Sequence, residues 1–101
     1  MNAADIDQRA MQRVATEAVQ MLKELANENR LMIMCALSES ELSVGELNER
    51  IDLSQSALSQ QLARLRAHGL VETRRKGQTI YYSHPDSEAV DIIRLLHDLY
   101  C

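Results

Sequence analysis

Residues 43–70, SVGELNERIDLSQSALSQQLARLRAHGL, constrain the fold of this chain more than any other stretch. Ser43 followed three positions on by Glu46 is a capping box, in which the two side chains satisfy open amides at a helix start. Val44, Leu47 and Ile51 then recur at helical spacing and make one apolar stripe. The polar break IDLS ends that helix, and Ser54 stands where it can cap the next. In the second helix Leu58, Leu62 and Leu65 fall on one face. Ser56, Gln60, Ala63, Arg64 and Ala67 lie opposite, with Ser59 at the edge. This spacing predicts a helix-turn-helix whose second helix has a small, polar outer face. Short side chains allow close approach to a duplex, amides and hydroxyls read base edges, and arginine binds guanine or phosphate. A solvated helix rich in Ser and Gln would look the same, so the segment that follows decides.

After Gly69, a helix stop, VETRRKGQTIYYSH places two β-prone runs around Lys76-Gly77, where glycine supplies the positive φ of a tight turn. A recognition helix followed by a basic hairpin is a winged helix-turn-helix, with the helix-turn-helix at 43–67 and the wing at 71–83. The net charge of −4 argues, taken whole, against nucleic acid. Its distribution reverses that. Residues 55–82 hold five basic side chains (Arg64, Arg66, Arg74, Arg75, Lys76) against one acid (Glu72), whereas the remainder holds six basic and fourteen acidic. Positive charge therefore collects where phosphates would lie, over an acidic body. The candidate DNA contacts are Ser54, Gln55, Ser56, Ser59, Gln60 and Arg64 on the helix and Arg74, Arg75 and Lys76 on the wing.

The rest of the chain frames this unit. Residues 1–7 read as frayed, ahead of a helix whose Met11, Val14, Ala18, Met21, Leu22 and Leu25 share one broad stripe, long enough to meet both its own domain and a partner. The polar ANENR breaks it, with Asn27 or Asn29 able to cap a short helix whose centre, LMIMCAL, is apolar all round and so predicted to be buried. Residues 38–42 read as a polar connector. After His84-Pro85, Asp86 or Ser87 caps a last helix with two apolar strips, Val90, Ile93, Leu96, His97 and Tyr100 on one side and Ile92, Leu95 and Leu99 on another. Two strips suggest two partners, its own core and a second protomer. With 101 residues, one Pro and three Gly the chain reads as a single ordered domain, and with only three aromatics its core is aliphatic. The longest apolar run, 31–37, is far too short to span a membrane, and no targeting signal is visible, so the expected location is cytoplasmic.

The order helix, helix, helix-turn-helix, hairpin, helix, together with LANENRLMIMCAL, ELSVGELNERIDLSQSALSQQLARLRAHGLV and GQTIYYS, resembles the ArsR/SmtB family of small dimeric winged-helix repressors over nearly the whole chain. The resemblance implies a mainly α protein of five helices with a small hairpin wing, a homodimer formed through the first and last helices, and binding to a palindromic operator. Gln61 departs from the His often found at that point of the family's recognition helix. Many members sense metals. The thiolate positions after the E-L dipeptide are Ser43 and Gly45 here, and the last helix offers Asp91, His97 and Asp98 without a second His, so neither ligand set is complete. No metal or other cofactor is expected.

Two cysteines remain, Cys35 in the second helix and Cys101 at the end of the last. On the residues alone, Cys35 reads as a small core residue, the commonest fate of a cysteine in an apolar helix, and two cysteines in such a chain are more often unrelated than paired. The resemblance implies more, because a persulfide- and redox-sensing branch of the family lacks the metal ligands and keeps one cysteine in each of these places. There the pair is the sensor: reactive sulfur species or other oxidants link the two sulfurs, and DNA affinity falls. The same branch includes activators that act by displacing a silencing protein. An enzyme is not expected, since there is no CxxC pair, Gly-rich phosphate loop or nucleophile-base arrangement.

Overall fold

The structure, a computed structural model, describes residues 7–85 and 88–100. Its elements run α1 (Gln8–Leu25), α2 (Glu28–Leu37), β1 (Leu42–Ser43), α3 (Val44–Arg50), α4 (Gln55–Ala67), β2 (Glu72–Lys76), β3 (Thr79–Ser83) and α5 (Glu88–Tyr100). This is a winged helix fold of five helices and a small antiparallel sheet.

Helix starts follow the side chains that can close them. Asp7 accepts from the amides of Arg9 and Ala10 to cap α1, and Asn27, not Asn29, accepts from Arg30 to cap α2. Ser43 and Glu46 form the full capping box at α3, with N···O distances of 3.0 and 3.2 Å. Ser54 receives the Ala57 amide at 3.1 Å and starts α4. The turn between α3 and α4 is pinned by a bond not anticipated from sequence, from Asn48 Nδ2 to the Leu53 carbonyl at 2.6 Å. Gly69 ends α4 at φ +72°, which lets the Leu70 amide reach back to the Leu65 carbonyl at 2.9 Å. The predicted capping of α5 by Asp86 or Ser87 lies outside the described residues, as do residues 1–6.

Leu58, Leu62 and Leu65 are fully buried, as their spacing predicts, and dock α4 on Ile33, Met34, Leu37 and Leu47. Each such side chain contributes about 1.5–3 kcal/mol of burial. From α5, Ala89 and Ile93 close the same core. The hairpin pairs β2 with β3 from Glu72↔Ser83 to Lys76↔Thr79, and Gly77 at φ +63° makes the turn.

Three expectations are corrected. The connector at 38–42 is not wholly loop: Leu42 and Ser43 form a short strand pairing with Tyr82 and Tyr81, so the sheet has order β1-β3-β2 and the wing is tied to the start of α3. A two-residue strand carries no periodicity for sequence reasoning to find. The run LMIMCAL is not buried all round, because α2 lies on the surface of the core: Ile33, Met34 and Leu37 are inside, Cys35 is half-buried and Met32 is 53% exposed. Finally, the first strip of α5 is not inside along its whole length: Val90 and Ile93 are buried and Leu96 is half-buried, but His97 and Tyr100 are exposed, as are Leu95 and Leu99 of the second strip.

Candidate nucleic-acid interface and the groove beside Cys35

The outer face of α4 is built as its sequence dictates. With three leucines held inside, the helical repeat places Gln55, Ser56, Ser59, Gln60, Ala63, Arg64 and Ala67 outside, and all are exposed along with the cap residue Ser54. Small side chains leave that face open to a groove. The hairpin beside it carries Arg74, Arg75 and Lys76 on one exposed strand.

Its arginines are not equivalent. Arg74 is drawn to the body: its Nη2 and Nε donate to Glu41 at 2.6 and 3.1 Å, and its guanidinium lies 5.3 Å from the centre of the Tyr81 ring. The Arg74 hydrogen bond holds the Glu41 carboxyl below its ordinary range. Arg75 and Lys76 have no side-chain hydrogen bond or ion pair among the described residues, so the tip of the wing presents their charge to solvent.

On α4, Arg64 is also engaged. Its Nε and Nη2 donate to the two oxygens of Glu24 at 2.8 and 3.0 Å. Glu24 sits in the last turn of α1 with only 3% of its surface exposed, although an acid in an amphipathic helix reads as a surface residue. One signal in the sequence points to it: position 24 adjoins Met21 and Leu25 on the inward stripe. Burial raises a carboxyl pKa, yet Glu24 is held below its ordinary value, first by the Arg64 hydrogen bond and then by the charges of His68, Arg64 and Arg30. Arg30 is buried too, donating from Nε to the Glu24 carbonyl (2.6 Å), from Nη2 to the Lys23 carbonyl (3.3 Å) and from Nη1 to Gln61 Oε1 (3.2 Å). Gln61, where the resemblance leads one to expect His, is therefore an inward contact between α2 and α4. His68 Nδ1 lies 2.9 Å from the Arg64 carbonyl, as expected of a helix-end residue, and its Nε2 lies 3.4 Å from Glu24.

Cys35 faces α5. Its half-buried side chain borders a groove shared with Ser38, Glu39, Ile93, Arg94, His97 and Asp98. Its carbonyl accepts from Ser38 Oγ at 2.6 Å. Cys101 follows Tyr100 directly in sequence and lies outside the described residues, so the structure places only one of the two predicted sulfurs. Among the described residues no three His, Cys, Asp or Glu side chains gather closely enough to hold a metal ion. Nor is any described helix long and apolar enough to cross a membrane.

A capped helix-turn-helix with a polar outer face, flanked by a basic hairpin, defines a winged-helix regulator. Residues 27–73 match the arsR family of bacterial regulatory proteins. The chain is 50% identical over 101 residues to the transcriptional activator HlyU of Vibrio cholerae, spanning all of this chain and 94% of that protein. Reduced HlyU from Vibrio cholerae superposes with a TM-score of 0.86 at 53% identity, covering 92% of this chain and 98% of that one. The transcriptional repressor BigR from Xylella fastidiosa superposes with a TM-score of 0.88 at 40% identity, covering 95% and 98%. The chain belongs to the arsR family and is a transcriptional regulator, not an enzyme.

Proposed function

We propose that this chain is a cytoplasmic, homodimeric regulator that reads a palindromic operator with the outer face of α4, braces on phosphates through the wing, and lets go when Cys35 and Cys101 are oxidised. The observation that carries DNA binding is the exposed face from Ser54 to Arg64, polar and open, beside the solvent-facing charges of Arg75 and Lys76. Salt dependence tests it. Every phosphate the protein no longer neutralises lowers the slope of log K against log salt by about 0.9, so an Arg75→Ala/Lys76→Ala variant should bind duplex DNA more weakly and with a shallower slope. An unchanged slope would remove the wing from the interface.

Dimerisation is supported by apolar surface that one protomer leaves uncovered. Met11, Val14, Val19 and Leu22 on α1 and Leu95, Leu99 and Tyr100 on α5 are between 45% and 83% exposed. These are the two helices the sequence assigns to the partner.

The dithiol reading is supported by the position of Cys35 on a groove whose far wall, Arg94, His97 and Asp98, belongs to the turns just before Cys101. In the chemistry we propose, a Cys101 thiolate attacks the outer sulfur of an organic persulfide, giving a protein persulfide and releasing the organic thiolate. Attack by the Cys35 thiolate on the inner sulfur then forms the disulfide and expels hydrosulfide. Linking α2 to α5 would shift the dimer contact and the separation of the two recognition helices, which must match one duplex turn, about 34–36 Å. Occupying a promoter makes such a protein a repressor. The 50% identity to an activator favours a second reading on the same surface, displacement of a silencing protein. Reporter expression with and without that silencer separates the two.

A further inference from the structure

The buried carboxylate of Glu24 has more positive charge around it than a balanced ion pair needs. Arg64 binds it through two hydrogen bonds, Arg30 Nε lies 3.5 Å from Oε2, and His68 Nε2 lies 3.4 Å from Oε1. Arg30 does not depend on that carboxylate, because two backbone carbonyls and Gln61 already take its donors. One carboxylate between two guanidiniums leaves a net positive charge. That surplus is not shut inside, since the Arg64 side chain is 53% exposed while Glu24 is 4% exposed. A guanidinium has five N–H donors. With Nε and Nη2 engaged by Glu24, Nη1 makes no hydrogen bond among the described residues, on a half-exposed side chain that shares a helical row with Gln60 one turn earlier.

We propose that Glu24 is a positioning residue for DNA binding: from the end of α1 it grips the inner edge of Arg64 and presents the outer edge to a backbone phosphate beside the recognition helix. A planar guanidinium held on one edge loses little further freedom when a phosphate takes the other. The link also makes the angle of α4 depend on α1 directly through Glu24–Arg64, and by way of α2 through Arg30, which joins Gln61 to the carbonyls of Lys23 and Glu24. The proposal rests on the DNA-binding reading above, and its test keeps the two apart.

The experiment measures binding of the full chain to a labelled random-sequence duplex over a salt series, for the parent, Glu24→Gln, Arg64→Ala and the double variant. Arg64→Ala should make the slope of log K against log salt shallower by about 0.9 per protomer. Glu24→Gln should weaken binding roughly tenfold, although it removes a negative charge from the neighbourhood of DNA, and should add nothing once Arg64 is alanine. If Glu24→Gln binds as tightly as the parent or tighter, or weakens binding by the same factor in the Arg64→Ala background, Glu24 does not act through Arg64 and the proposal is overturned. An unchanged slope in Arg64→Ala overturns it too, and that variant changes a half-exposed side chain, so it stands even where Glu24→Gln fails to fold. In either case a shallower slope for Arg75→Ala/Lys76→Ala leaves the DNA-binding reading intact. Absence of salt-dependent binding by the parent overturns both.

Discussion

If α1 and α5 form the homodimer interface proposed above, replacing Leu22 by alanine should loosen the dimer while leaving the protomer folded. In the protomer Leu22 is 49% exposed. Covering it with a partner therefore gains about half of the ~1.5–3 kcal/mol that full burial of a leucine contributes, or roughly 1 kcal/mol. A two-fold interface uses the same residue twice, so the variant dimer is weaker by about 2 kcal/mol and the dissociation constant rises roughly 30-fold. Sedimentation velocity over a concentration series reads this directly. Ile80, 43% exposed on the wing, is the control: it is equally apolar and similarly exposed but lies away from α1 and α5. Dissociation of Leu22→Ala and the parent at the same concentration would refute this, as would an Ile80→Ala variant whose dimer is weakened as much.

Other consequences follow from single residues. The Glu24 carboxyl is held low in the folded state, so its stabilisation is present above its unfolded pKa and is lost as pH falls through the folded value. Urea unfolding below about pH 4.5 should therefore show a flatter fall in stability for Glu24→Gln than for the parent, and parallel curves would contradict this. At His84 both ring nitrogens are buried without a hydrogen-bond partner among the described residues. Unmet polar groups cost about 1–3 kcal/mol, so His84→Leu should leave the melting temperature unchanged or raise it, and a marked fall would point to a partner for the ring. Gly69 has φ +72° and open space where a Cβ would stand, so Gly69→Ala should cost about 1 kcal/mol from backbone strain alone, measurable as a lowered denaturation midpoint.

What is legible in the sequence is what local chemistry decides. Ser43, Glu46 and Ser54 announce helix starts because their side chains bond amides within three residues, and Gly69 and Gly77 sit where φ must be positive. The inward row Leu58, Leu62, Leu65 follows from helical repeat alone. Pairings between distant segments leave no such mark. Nothing near Glu24 points to Arg64, forty positions on, and nothing near Arg74 points to Glu41. From sequence the three wing cations look equal, whereas one is committed to the body. Met32 misleads for a different reason: an apolar side chain reads as buried whether what covers it is its own chain or another.

If the thiols set the grip on DNA, one paired measurement will show it. Reduced protein and protein treated with an organic persulfide are each followed by intact mass with thiol alkylation, and the same samples are titrated onto a labelled duplex. We expect the treated protein to have no alkylatable thiol left and to bind much more weakly, with reductant restoring both. Treated protein that keeps its thiols, or that is fully oxidised and still binds as tightly as before, would contradict the dithiol mechanism.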